Sequence, residues 1–113
     1  MHAIYSLVHH DGKEHSFDQN DVTIGRGKYN DLVLADSSVS RSHARILVRE
    51  GRFWLRDEKS AGGVFVNGQR VSGQQEIQIG DVIQIGDSRV IRQCALLNLV
   101  YYLSTGFFND DQC

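Results

Sequence analysis

Two arginines and a serine in two short loops have the chemistry to bind a phosphate group. Arg26 lies between two glycines after a β-rich run, and Ser40 and Arg41 precede another such run. An arginine guanidinium offers its N–H donors in a planar fork that matches phosphate oxygens. A serine hydroxyl and the N–H groups of its loop add further donors. A phosphorylated side chain, with about −1.5 to −2 charges and three acceptor oxygens, fits such a donor set.

The strength of such a site follows from the number of charged hydrogen bonds. Each charge-assisted hydrogen bond contributes roughly 1.5–3 kcal/mol net. Three of them would supply much of the roughly 8 kcal/mol that a micromolar dissociation constant requires. Between Arg26 and Lys59 the chain carries eight Lys or Arg against five Asp or Glu, a local excess of three positive charges that favours an anionic ligand.

The elements that must position these loops are β-strands. Apolar residues recur with a period of two, as in Ala44, Ile46 and Val48. Turn pairs such as Asp11-Gly12 and Asn67-Gly68 separate the runs, which repeat roughly every 8–12 residues. No stretch up to Cys94 carries a helical stripe. This pattern predicts an all-β sandwich of two antiparallel sheets, with binding loops collected at one end.

The motifs, taken in order, resemble the forkhead-associated (FHA) family. The resemblance covers about residues 3 to 93. It implies a β-sandwich of about eleven strands within an FHA-like phosphopeptide-binding domain at residues 1–94. It also implies that the end loops bind phosphothreonine in an extended peptide, as in Ser/Thr-kinase signalling. The motifs are Gly25-Arg26, Ser40-Arg41-Ser42-His43, Asp57-x-x-Ser60-x-x-Gly63, Val66-Asn67-Gly68 and the closing run Gly80–Gly86.

The resemblance also implies roles for individual residues. Arg26 would bind phosphate and hold its loop, Ser40 would bind phosphate, and Arg41 would add a contact. The remaining peptide contacts would come from Ser60, Ala61 and Gly62, and structural support of the site from Gly25, His43, Asn67 and Gly68.

One loop departs from the family pattern. The family commonly has Ser-x-Asn-Gly-Thr where this chain has Ser60-Ala61-Gly62-Gly63-Val64. The usual asparagine grips the bound peptide backbone, and Gly62 has no side chain for that contact. One lost neutral hydrogen bond costs roughly 1 kcal/mol, or about fivefold in affinity. We therefore expect a weakened phosphate site, with the preference for threonine over serine affected more than phosphate binding itself.

Other classes of function find little support. No Gly-x-Ser-x-Gly elbow and no Cys/His pair in a nucleophile context points to an enzyme. The four N-terminal histidines have no recognised metal-ligand spacing, so no metal or cofactor is expected. The formal net charge of −2 argues against nucleic-acid and membrane partners. Without a signal peptide or a long apolar run, the chain is expected to be cytoplasmic.

The C-terminal segment, residues 95–113, begins with an uncharged apolar stretch over residues 95–103. Three interpretations remain open: the stretch packs on the sandwich, begins a further region, or forms a homodimer contact. A homodimer contact would support an alternative function: a phosphate-independent scaffold or self-association domain with a degenerate phosphate site.

Overall fold

The computed structural model describes residues 5–94, and these residues form eleven β-strands. Most strands are short, and they follow one another through tight turns and the loops that carry the candidate site. The strands are β1 (Tyr5–His9), β2 (Glu14–Phe17), β3 (Asp21–Gly25), β4 (Leu32–Val33), β5 (Ala44–Arg49), β6 (Arg52–Asp57), β7 (Val64–Val66), β8 (Gln69–Arg70), β9 (Gln74–Ile77), β10 (Val82–Ile85) and β11 (Ser88–Cys94).

The strands form two sheets, which confirms the predicted β-sandwich. The six-stranded sheet has the order β2-β1-β11-β10-β7-β8, and the five-stranded sheet has the order β4-β3-β5-β6-β9. The strand pairs whose register is defined are antiparallel except β3 and β4, which run parallel with Ile24 opposite Leu32. This pairing brings the loop that starts at Arg26 back to its point of origin, where the Leu34 N–H donates to the Gly25 carbonyl at 2.9 Å.

The core lies between the sheets and is filled by the alternate residues that the period of two predicted. Leu7, Ile46, Leu55 and Ile83 are fully buried and represent this set. Burying one such aliphatic side chain stabilises the fold by about 1.5–3 kcal/mol. Tyr5 lies edge-on to an aromatic ring of β6 at 4.9 Å between centroids, and burial raises the pKa of its hydroxyl above its usual value. The packed core fixes the strand ends from which the loops emerge.

The Asn-Gly pair forms the β7–β8 turn as predicted. Asn67 and Gly68 have φ angles of 50° and 85°, the left-handed conformation that a tight hairpin turn requires. The Asn67 side chain donates to the Asp81 carboxylate at 3.0 Å and accepts the Val82 N–H at 3.0 Å. The turn lies at the end of the sandwich opposite the Arg26 loop, so Asn67 and Gly68 support the site only indirectly, through the sheet.

Some predictions fall beyond the described residues. The proposed domain boundary after residue 94 and the interpretations of residues 95–103 concern a part of the chain outside residues 5–94. They stay predictions. Within residues 5–94 there is no helix that could span a membrane.

Candidate functional site

The Arg26 loop and the Ser40 loop are joined by backbone hydrogen bonds. The Arg26 N–H donates to the Ser40 carbonyl at 2.9 Å, and the Gly27 N–H donates to the Arg41 carbonyl at 3.1 Å. The side chain of Arg26 adds a third link, because its Nε donates to the Val39 carbonyl at 2.9 Å. This contact leaves the two terminal guanidinium nitrogens of Arg26 for a ligand, and it holds the side chain beside Ser40.

Ser40 connects its own loop to the loop after β6. Its Oγ accepts the Ala61 N–H at 3.1 Å. Since that amide already supplies a hydrogen to the oxygen, the hydroxyl hydrogen of Ser40 is left to be donated to another acceptor. Arg41, the next residue, is exposed, and its guanidinium has no hydrogen bond or ion pair within residues 5–94. The two loops therefore present the Ser40 hydroxyl and the Arg26 guanidinium close together, with the exposed Arg41 next to Ser40 along the chain.

His43 is buried beneath these loops and connects them from inside. Its Nδ1 accepts the Ser40 N–H at 2.9 Å, and its Nε2 lies 2.8 Å from the Gly63 carbonyl oxygen. A ring that accepts at Nδ1 is neutral and carries its proton on Nε2, which donates to that carbonyl. With 0% of the residue exposed and both nitrogens engaged, His43 braces the loops and is not placed to act as a base.

Gly25 permits the close approach of the first two loops. A Cβ at this position would lie 2.2 Å from the Arg41 carbonyl oxygen, far inside van der Waals contact. We therefore expect Gly25→Ala to lower the free energy of unfolding by about 1–3 kcal/mol, the usual cost of overpacking. Urea denaturation measures this change.

Gly62→Ala is the matched control, because a Cβ at Gly62 meets nothing within 4 Å. Equal stability of the two variants would contradict the proposed close approach at Gly25.

The loop after β6 is held by its own side chains. The Ser60 N–H donates to the Asp57 carboxylate at 2.9 Å, and the Ser60 Oγ accepts the Gly63 N–H at 2.9 Å. The backbone N–H and the hydroxyl of Ser60 are therefore both used in hydrogen bonds within the loop. Ala61 and Gly62, by contrast, are exposed next to Ser40. Of the three residues expected to contact the peptide, Ala61 and Gly62 lie open to a ligand.

Two residues near the site were not singled out from the sequence. The Asn30 side-chain amide donates to the carbonyls of Gly27 and Arg41, at 2.8 Å and 2.7 Å, and so ties the first two loops together. Arg70, on β8, lies against Gly63. Neither carried a signal in the sequence, because the contact of Asn30 with Arg41 joins two loops and that of Arg70 with Gly63 spans a hairpin.

The electrostatics of this end favour an anion. The basic side chains are exposed, while nearby acidic groups accept hydrogen bonds from the loops. Asp31 accepts the Thr23 N–H at 2.9 Å. Hydrogen bonds from the backbone N–H and the hydroxyl of Ser38 lower the pKa of Asp36. Exposed cations on the candidate-site loops and on β8 include Arg26, Lys28, Arg41, Lys59 and Arg70.

Metal ligation has no cluster to support it in the described part of the chain. No group of three or more His, Cys, Asp or Glu side chains is arranged to hold an ion there. His2 lies outside the described residues.

Comparison with known proteins identifies the family. A family model described as the FHA domain matches residues 22–86, more than half of the chain. The chain belongs to the forkhead-associated (FHA) family. The resemblance inferred from its motifs is therefore confirmed, and the loops described above are the loops at one end of an FHA domain.

Proteins similar to this FHA domain include an enzyme inhibitor and a protein solved with a phosphopeptide. An oxoglutarate dehydrogenase inhibitor of Corynebacterium efficiens is 39% identical over 80 residues, which cover 71% of this chain and 56% of that protein. EmbR of Mycobacterium tuberculosis, solved in complex with a low-affinity phosphopeptide, aligns with a TM-score of 0.78 and 30% identity over 82% of this chain and 25% of EmbR.

A third similar structure comes from a structural and functional analysis of phosphothreonine-dependent FHA domain interactions. It aligns with a TM-score of 0.76 and 29% identity, covering 82% of this chain and 98% of that one. The FHA domain described here spans about half the length of the curated relatives it matches first.

Proposed function

We propose that this FHA domain is a non-catalytic module that binds phosphothreonine-containing segments of partner proteins. The observation that carries the proposal is the junction of the first two loops, where the Arg26 N–H donates to the Ser40 carbonyl at 2.9 Å. This bond joins the backbones of Arg26 and Ser40, and the bond from Arg26 Nε to the Val39 carbonyl keeps the guanidinium near the Ser40 hydroxyl. The phosphopeptide complex of the similar EmbR structure and the phosphothreonine-dependent interactions of another similar FHA domain support the same ligand class.

The loops are preorganised for this ligand. Arg26 is held by the Val39 carbonyl, and Ser40 is held by the Ala61 N–H and the His43 ring. A phosphate would accept from the terminal nitrogens of Arg26 and from the Ser40 hydroxyl, with Arg41 as a further cation. Because these donors are already positioned, binding loses little conformational freedom of the protein.

The same geometry supports a role in binding and not in catalysis. Hydrolysis of a phosphate ester needs an activated nucleophile or a metal-bound water. His43, the histidine at the site, is fully buried, and both of its ring nitrogens are engaged. We accordingly propose a phosphoprotein partner in the cytoplasm, without a cofactor and without nucleic-acid or membrane partners.

Mapping of amide chemical shifts tests the location of the site. We expect a degenerate pool of phosphothreonine peptides to shift the amides of Gly27, Arg41 and Ala61 most strongly in a ¹H–¹⁵N spectrum. The unphosphorylated pool should leave them unchanged. Shifts that are the same with both pools and centre on a sheet face would contradict the proposal and favour the phosphate-independent scaffold.

The open space at Gly62 leads to a gain-of-affinity prediction. Gly62 does not have a positive φ, and a Cβ there meets nothing within 4 Å, so a larger side chain fits without strain. We expect Gly62→Asn to strengthen phosphopeptide binding by about fivefold, since one added hydrogen bond contributes roughly 1 kcal/mol. Anisotropy titration gives the ratio of dissociation constants.

Gly62→Ala serves as the control, because it fills the same position without an amide. If the asparagine and alanine variants bind with equal strength, the expected contact to the peptide backbone is wrong.

The scaffold alternative rests on the missing asparagine at Gly62 and on the apolar stretch at residues 95–103, of which the stretch lies outside the described residues. It therefore remains an outcome of the mapping experiment.

A further inference from the structure

An apolar row crosses three neighbouring strands on the outer face of the six-stranded sheet. Its members are Val8 of β1, Ile91 of β11 and Val82 of β10, and Ile91 lies opposite both valines. They point away from the core, because the residues next to them along the strands, such as Leu7 and Ile83, are the ones that fill it. The three are half-buried, and with residues of the β1–β2 turn they line a depression of about 280 Å³.

Polar side chains border the apolar row on the same face. Glu14 lies opposite Val8, and Gln84 lies opposite Arg89, and all three polar residues are exposed. A stable interface between two proteins buries about 800 Å² on each partner, and three half-buried side chains form only a small part of that area. The apolar row therefore fits a short apolar segment better than it fits a second copy of the chain.

Ser6 shows that this face has cover near the end of β11. It lies on the outer face two residues before Val8 and is 0% exposed, although its register partner Ser16 is exposed. Its Oγ lies 3.3 Å from the Glu14 carboxylate and 3.4 Å from the Cys94 carbonyl oxygen. A serine that is fully buried on an outer face requires cover from above, which these contacts beside it in the sheet do not give.

The chain continues from this place with the uncharged stretch at residues 95–103. Cys94 ends β11 three residues after Ile91, a distance of about 10 Å along the strand. Nine residues span about 14 Å as a helix and about 30 Å when extended. In either conformation, a segment that turns back over the sheet is long enough to cover both Ser6 and the apolar row.

The sequence of the stretch also suits one-sided burial. Its large aliphatic residues recur at the spacing of a single helical face, and Asn98 falls on the opposite face. The residues that share the apolar face are Leu96, Leu99, Val100 and Leu103.

We propose that residues 95–103 pack on the outer face of the six-stranded sheet of their own chain, with their apolar side chains over Val8, Val82 and Ile91. The inference selects one of the three interpretations that the sequence left open. It involves none of the loops of the candidate site and so does not depend on the proposed function. It also leaves the stretch unavailable for the homodimer contact that the scaffold alternative needs.

Contacts between methyl groups test the proposal on the unaltered whole chain. With Ile, Leu and Val methyl groups labelled, we expect nuclear Overhauser effects between leucines of the stretch and Val8, Val82 and Ile91. An isotope-filtered spectrum of mixed labelled and unlabelled chains detects contacts between two copies and should show none. Leu47, which faces outward on the other sheet, is the internal control and should have no contact with the stretch.

Three results would overturn the proposal. The first is the absence of any contact between the stretch and the apolar row. The second is contact that is seen only between labelled and unlabelled chains, which would make a second copy the occupant. The third is contact of the row with Ile4 in place of the leucines, which would assign the cover to the N-terminal residues.

A charge placed in the stretch provides an independent measurement. Leu99→Asp should lower the urea midpoint of unfolding by about 1 M, from the transfer energy of one leucine side chain and the usual slope for a small domain. It should also raise the fluorescence of the dye anilinonaphthalene sulfonate, because the freed apolar row binds the dye. Asn98→Asp adds the same charge on the opposite face and should change neither quantity. Equal effects of the two variants would contradict the packing.

Discussion

Arg26→Ala is expected to weaken phosphothreonine-peptide binding by on the order of 100-fold, because two charge-assisted hydrogen bonds to phosphate contribute roughly 3 kcal/mol or more. The terminal nitrogens of Arg26 lie beside Ser40, with no partner inside the described part of the chain. The variant should remain folded, since Arg26 is exposed and its loop keeps its backbone bonds to Ser40 and Arg41. Fluorescence anisotropy with a labelled phosphothreonine peptide measures the affinity.

Arg52→Ala provides the charge-matched control for Arg26, and it should bind as wild type does. Arg26→Lys tests the geometry of the contact, because lysine keeps the charge but cannot donate to the Val39 carbonyl and grip a phosphate as a fork at the same time. If Arg26→Ala binds the phosphopeptide within threefold of wild type while remaining folded, the assignment of Arg26 is wrong.

His43→Ala is expected to lower the free energy of unfolding by about 2–6 kcal/mol, because it leaves one buried and one part-buried polar group without their partner, at a cost of roughly 1–3 kcal/mol each. The groups are the Ser40 N–H and the Gly63 carbonyl. A loss of this size is a large part of the stability of a domain, which is typically about 5–15 kcal/mol. Urea denaturation followed by the fluorescence of Trp54 gives the free energy.

Ser42→Ala is the control for His43, because Ser42 is the exposed neighbour in the same motif and should change stability by less than about 0.5 kcal/mol. Because His43 connects the Ser40 loop to Gly63, His43→Ala should also weaken phosphopeptide binding at temperatures where the variant is folded. A stability equal to that of Ser42→Ala would show that His43 does not brace the loops.

The strands and turns were largely predictable because local sequence determines them. The period of two in β5 and the Asn67-Gly68 pair each specify a structure through nearby residues. The parallel pairing of β3 with β4 was not predictable, since β4 has only two residues, Leu32 and Val33, and thus no periodicity. Its direction follows from how the Arg26 loop folds back on Gly25.

Some features of the candidate site were likewise predictable from local sequence, and others were not. Arg26 and Ser40 could be paired beforehand because their motifs are recognisable in order along the chain. The hydrogen bond from Asn30 to Arg41 is a contact between loops, and the contact of Arg70 with Gly63 depends on strand register. No local sequence pattern encodes either contact. Whether an asparagine could replace Gly62 also required the structure, because the answer depends on the empty space around that position.

The most direct test of the central claim is a fluorescence-anisotropy titration of the whole chain against three degenerate peptide libraries. They carry phosphothreonine, phosphoserine or unmodified threonine at the fixed position. The account predicts saturable binding of the phosphothreonine library, weaker binding of the phosphoserine library and none of the unmodified one. Equal binding of the modified and unmodified threonine libraries, or no binding of either at high micromolar protein, would contradict it.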